Sequence, residues 1–306
     1  MLRYKMAGKR QSRGPNMQTA AALTMVRDDA FFLKAWLDHY GAAFGRENCY
    51  VVNHGRGAQV AEMAQGCNII GIPGDPHRNF DIKRWRLLNG IVQGLRNYYR
   101  HVIVGDVDEL VVLDPASGTD LPAFLADMPD KRVLTPLGLE VIHRIDIEPE
   151  PITDRILGPR RHVRPAPHYS KPCVISTPTK IARGGHYTQY GKLHAPEHLY
   201  LFHLKFCDFG AYSEVMNRRN DTVAATGGTV KEVAIGRHWF AEARGEDRAV
   251  FEAFSALDLQ EGFDLAPLRR KMRRSFGPRG ETGYYQFDRP DYATQYVLPD
   301  RFTGLI

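Results

Sequence analysis

No stretch of this 306-residue chain approaches the ~20 consecutive apolar residues that a membrane-spanning helix needs. The basic N-terminus, with Arg3, Lys5, Lys9, Arg10 and Arg13, has no apolar stretch behind it and does not read as a secretory signal. The four cysteines, Cys49, Cys67, Cys173 and Cys207, are widely separated and include no C-x-x-C pair, so neither a disulfide framework nor a structural zinc site is expected. Cys49, Cys173 and Cys207 lie in apolar, strand-like settings that suit buried free thiols, and the chain reads as cytosolic. Internal repeats and low-complexity tracts are also missing.

What is present is an ordinary globular composition, 43% hydrophobic and 25% charged, long enough to bury a full-sized core. The net charge of +6 owes much to the first 17 residues, which carry five cations, no acids and little to bury; they are expected to form a poorly ordered tail. Two further basic clusters stand at Arg155, Arg160, Arg161 and Arg164 and at Arg269 to Arg274. They would suit solvated faces, a phosphate-rich substrate, an anionic membrane surface or nucleic acid, and charge alone does not choose.

From residue 20 apolar runs of strand length alternate with helical periodicity. AAALTMV (20–26) reads as a strand, and Asp28 or Asp29 can cap a helix with Phe32, Leu33, Trp36, Leu37, Tyr40 and Phe44 on one face. CYVVN (49–53) and CNIIGI (67–72) read as strands. Asn79 or Asp81 can cap a helix over 80–99, with Ile82, Trp85, Leu88, Ile91, Val92 and Leu95 on its apolar face. HVIVGDVDELVVL (101–113) is a buried strand, an acidic break and another strand. This alternation predicts an open α/β fold with a mainly parallel sheet flanked by helices over 18–225. Two more strands are expected after residue 130, a long loop over 148–172, a strand at 198–206 and a helix at 209–224. Helices are expected at 244–257 and 264–275, within an extension over 226–306 that packs on the main domain.

The informative segment is the acidic break. Ligands of open parallel sheets bind at the carboxyl ends of the strands, where Asp106 and Asp108 are expected to fall. Two carboxylates one residue apart suit magnesium or manganese, whose remaining positions a substrate's phosphates can fill. An isolated D-x-D is a weak signal; following an apolar strand and an amphipathic helix, it points to a ligand site rather than a solvated turn.

The segment Asp106-Val-Asp108-Glu109 resembles the D-x-D-E of family-2-type glycosyltransferases with the nucleotide-diphospho-sugar transferase (GT-A) fold. Arg27-Asp28-Asp29, Leu33 to Tyr40 and Phe44-Gly45 resemble the opening of a bacterial subgroup; Lys171-Pro172, Gly185-His186 and His203 match later positions. The resemblance covers roughly 20–225. It implies that Asp106 and Asp108 hold a divalent metal bridging the diphosphate of a nucleotide-sugar donor, with His203, or else His186, completing the metal's ligands. A buried core histidine is the competing reading of His203. The implied inverting transfer, to a saccharide or lipid-linked acceptor, needs a base; Glu140 is the candidate, with Asp146 and Glu109 as alternatives. Lys83 and Arg84, in the first turn of a helix, and Lys171 are candidate phosphate contacts. Where relatives end the second strand in a carboxylate, this chain has Asn53-His54, which can hydrogen-bond a base edge. No nucleic-acid partner is expected, while peripheral contact with the inner face of a membrane fits the cations.

Two other classes compete. A haloacid-dehalogenase-type phosphatase also carries D-x-D after an apolar strand, but in its first strand, and Leu110 stands where Thr or Val would follow. A non-enzymatic basic protein binding nucleic acid or an anionic surface explains the cations but not the acidic pair.

Overall fold

The computed structural model describes residues 17–74, 80–225 and 247–306. The expected basic tail, the capping role of Asn79 and the start of the 244–257 helix lie outside these residues. Among them, no helix is long and apolar enough to cross a membrane.

The described residues begin with β1 (Gln18–Val26), α1 (Ala30–Phe44), β2 (Cys49–His54), α2 (Ala58–Met63), β3 (Asn68–Ile72), α3 (Phe80–Leu95) and β4 (Tyr99–Asp106). The four strands pair in parallel in the order β3-β2-β1-β4. Alternation along β1 divides the core in two. Ala20, Ala22 and Val26 join the cluster holding Phe32, Leu33, Trp36, Leu37 and Tyr40 of α1. Ala21, Leu23 and Met25 join Trp85, Leu88 and Val92 of α3 on the opposite face. A strand buried on both faces reads as a continuous apolar run because each successive side chain meets a different helix.

After β4 come β5 (Glu109–Leu113), α4 (Leu121–Asp127), β6 (Val133–Leu134), β7 (Leu137–Ile142), β8 (His162–Pro165), β9 (Val174–Ile175) and β10 (Leu199–Phe206). Strand β9 runs antiparallel to β4 and closes the first sheet with β6. A second sheet has the order β11-β14-β8-β7-β10-β5. One edge of it comes from the C-terminal segment, which contains β11 (Asp258–Gln260), β12 (Gly277–Pro278), β13 (Tyr285–Gln286) and β14 (Thr294–Val297), while β5 forms the other edge. The helices α5 (Phe209–Ala225), α6 (Asp247–Glu252) and α7 (Ala266–Ser275) complete the described elements.

Three expectations need correction. The 148–172 stretch is not all loop, since β8 lies within it and pairs with both β7 and β14. The C-terminal segment is not only helical, because β11 and β14 extend a sheet. Asp29 stands at the N-cap of α1 but its side chain makes no cap hydrogen bond; the carboxylate accepts instead from Arg218 at 2.6 Å. An ion pair to α5 has taken the place of a local cap.

Candidate functional site

Strands β4 and β5 are continuous in sequence but belong to different sheets, and the D-x-D-E segment is the crossing between them. Asp106, the last residue of β4, lies opposite Met25 of β1, while Glu109 opens β5 opposite His203 of β10. Between them Asp108 is fixed by its carbonyl, which accepts from the Leu204 N–H at 2.8 Å. Both sheets therefore place acidic residues at one seam.

Each aspartate meets a different set of partners. Arg84, from the first turns of α3, donates to Asp106 Oδ1 at 2.6 Å, and Lys171 donates to Oδ2 at 3.0 Å. Lys171 also forms an ion pair with Glu109, whose Oε2 accepts from the Asp106 N–H at 3.3 Å. Burial would raise the Asp106 pKa, but Arg84 and Lys171 outweigh it and hold the carboxyl well below the usual range. Lys171 is buried, yet these two acids keep it protonated. Burial, aided by the neighbouring acids, pushes Glu109 up to about 7 despite Lys171.

Asp108 faces His203, whose Nε2 lies 3.3 Å from Oδ2. The other ring nitrogen, Nδ1, donates to Glu140 Oε1 at 2.8 Å, and Glu140 Oε2 accepts from Arg164 Nε at 2.6 Å. The register forces this arrangement: His203 lies opposite Glu109 on one side and Glu140 on the other, while Arg164 of β8 lies opposite Glu140. The Tyr169 ring stacks on His203 at 3.6 Å with 15° between planes. Burial lowers the His203 pKa, but Asp108 and Glu140 overcome that and raise it to about 9. Burial also disfavours the Glu140 carboxylate, yet Arg164 and His203 bring it down to about 2.

Two glycines permit this packing. A Cβ on Gly138 would overlap the Ala166 carbonyl and the Ser170 N–H, so only glycine lets the turn bearing Tyr169 and Lys171 lie against β7. Gly185, at φ +75°, lets the following turn approach Trp85 and Lys171.

The sequence-derived candidates separate into those that converge and those that do not. Asp106, Arg84 and Lys171 form one set of contacts and Asp108, His203 and Glu140 a second, beside it at the same seam. The three expected metal ligands do not form one cluster, however; among the described residues no group of three or more His, Cys, Asp or Glu side chains is arranged to hold a metal ion. The reason is that Asp106 is turned to Arg84 and Lys171, leaving Asp108 and His203 facing each other. Glu140 cannot serve as the expected free base in this arrangement, because both its oxygens are engaged and it is 2% exposed. Asn53 is closed on its own turn, donating to the Gly57 carbonyl and accepting from the Gly57 N–H, both at 2.9 Å. Lys83 is exposed on the surface of α3. Of the alternatives, His186 has Nδ1 bound to the His168 carbonyl at 2.8 Å, and Asp146 pairs with Arg144 away from the aspartates. Sequence reasoning missed Arg164 and Tyr169. It also missed the ion pair of Asp29 with Arg218, although Asp29 lies close enough to Asp108 to feel its charge.

With Nδ1 committed to a carboxylate, Nε2 is the nitrogen presented toward Asp108, and such carboxylate–imidazole pairs orient histidine ligands in metal sites. Asp108 and His203 could hold a divalent cation once Nε2 gives up its proton, with substrate phosphates supplying further oxygens.

Fold and site together define an open α/β protein with a buried, charge-compensated acidic seam at the carboxyl end of a parallel sheet. No family model matches the chain, and no curated protein does. Among solved structures it is similar to the mannose-1-phosphate geranyltransferase of Thermus thermophilus, at 16% identity and a TM-score of 0.28. That match covers 53% of this chain and 51% of the other, so the chain spans about half the length of its neighbour; so distant a likeness carries no argument about function.

Proposed function

We propose that this chain transfers a sugar from a nucleotide-sugar donor to a hydroxyl-bearing acceptor, with a magnesium or manganese ion held by Asp108 and His203. The observation that carries the reading is the Arg164–Glu140–His203–Asp108 relay beside the Arg84–Asp106–Lys171 cluster, at the carboxyl end of β4. In sugar transfer the anomeric C–O bond breaks and charge develops on the departing nucleoside diphosphate. A bound divalent ion would neutralise part of that charge as a Lewis acid.

The chain's own groups divide the remaining work. Arg84 and Lys171, anchored on Asp106, supply fixed positive charge beside the diphosphate and need no rearrangement as charge develops. Glu140 holds the His203 ring so that Nε2 points to Asp108, and Tyr169 covers the ring face. Glu140 is thus a positioning residue rather than a base. In this reading the donor lies at the end of β4, which Asp106 closes. The phosphatase alternative carries its D-x-D after the first strand of the domain, whereas Asp106 ends the fourth.

A thermal-shift panel of nucleotide-sugars, with and without manganese, tests this reading. At least one donor should raise the melting temperature only when metal is present, because a ligand that binds the native state alone stabilises it. No shift with any donor in manganese would reject it.

A further inference from the structure

A second gathering of cations lies beside this seam. The turn that carries His186 continues into Tyr187, and the Arg279 and Arg289 guanidinium groups each lie over its ring, 4.5 Å from the centroid. Arg289 also donates to the His186 carbonyl at 2.8 Å. The segment bearing both arginines is tied to this turn: β13 bridges Thr188 through Tyr285, whose N–H donates to the Thr188 carbonyl at 2.9 Å.

Among the described residues neither guanidinium has a carboxylate within ion-pair distance; neighbouring Asp291 lies 3.9 Å from His168. Arg289 Nε is buried without a hydrogen-bond partner. Like charges gathered on one ring repel each other, and partial burial without a counter-charge adds to that cost. An incoming oxyanion would relieve both, and the planar guanidinium fork matches phosphate or carboxylate geometry.

We propose that Arg279 and Arg289 form a subsite for an anionic group, phosphate or carboxylate, carried by the acceptor. The acceptor role rests on the transfer reading above; the anion site does not. Arg84 and Lys171 already stand at the aspartates, where the donor diphosphate is placed, whereas this pair is supplied by the C-terminal segment across the His186–Tyr187 turn.

The test titrates inorganic phosphate calorimetrically into the full chain without metal or nucleotide. Wild type is compared with Arg279→Ala, an exposed position whose loss spares the fold, and with Arg289→Lys, which keeps charge but loses the fork. Phosphate affinity should fall about ten-fold or more in Arg279→Ala and measurably in Arg289→Lys. Nucleoside diphosphate affinity in manganese should be unchanged in both. Absence of saturable phosphate binding to wild type, or equal binding to Arg279→Ala, overturns the subsite. A matching loss of nucleoside diphosphate affinity would give the arginines to the donor and overturn the acceptor assignment. If wild type binds phosphate through these arginines but no nucleoside diphosphate, the anion site stands and the transfer reading fails.

Discussion

His203 shows how much one residue depends on its neighbours. An imidazole on a strand of leucines and phenylalanines reads equally as a core histidine and as a ligand until its partners are known. They come from positions 63 and 95 residues back in the chain, Glu140 and Asp108, and β-sheet register alone brings them together. Glu140→Gln keeps the shape but removes the charge that fixes the ring, so manganese affinity should fall by ~10–100-fold, read by calorimetry. Lys171→Met tests the other half of the seam. It strands buried Glu109 and half of Asp106 without a cation, and should cost ~3–5 kcal/mol in urea denaturation. The D-x-D itself was legible because acids directly after an apolar strand are unusual. Arg164 and Tyr169 were not, since nothing local in a loop-like, Pro- and Arg-rich stretch announces a strand pairing or a stacked ring. Sequence shows the Glu140 carboxylate but not that His203 and Arg164 occupy its oxygens.

At the scale of elements, periodicity carried the βα region well. Phe32, Leu33, Trp36, Leu37 and Tyr40 are all buried on α1, and Trp85, Leu88 and Val92 on α3. Short strands such as β6 and β9 have two residues each, too few for any period to register, and their pairing is a long-range matter. The stretch before β8 is ordered by Glu148, which accepts from the Arg144 and Arg161 N–H groups and from His162. Burial raises the Glu148 pKa, but these donors outweigh it and depress it. Its contribution is therefore complete above the ordinary value of 4.5 and lost as pH falls through the lowered one. Glu148→Gln should lower stability by ~1–3 kcal/mol at neutral pH and flatten the acid limb of a stability–pH profile. An unchanged acid limb would show that Glu148 does not anchor the stretch. Gly138→Ala should displace the turn bearing Tyr169 and Lys171, lowering the urea midpoint and manganese affinity together. Loss of stability with intact metal binding would detach that turn from the site.

For the whole molecule, the seam between two sheets is the organising feature. The first sheet brings Asp106 and the second brings His203 and Glu140, so the site exists only where both are folded together. The C-terminal segment belongs to the same core, since Phe287, Leu298, Phe302 and Ile306 pack with Leu201 and Phe202 of β10. Sequence periodicity indicated its helices but not β14, because four residues carry little pattern. The central claim is that Asp108 and His203 hold the metal that a nucleotide-sugar requires, and its most direct test is calorimetric titration of a set of nucleoside diphosphates into the full chain. The account predicts saturable binding that requires manganese in wild type. Asp108→Ala and His203→Ala should abolish this binding, while Asp106→Asn weakens it but keeps the metal dependence. Metal-independent binding, or wild-type affinity in a folded Asp108→Ala variant, would contradict it.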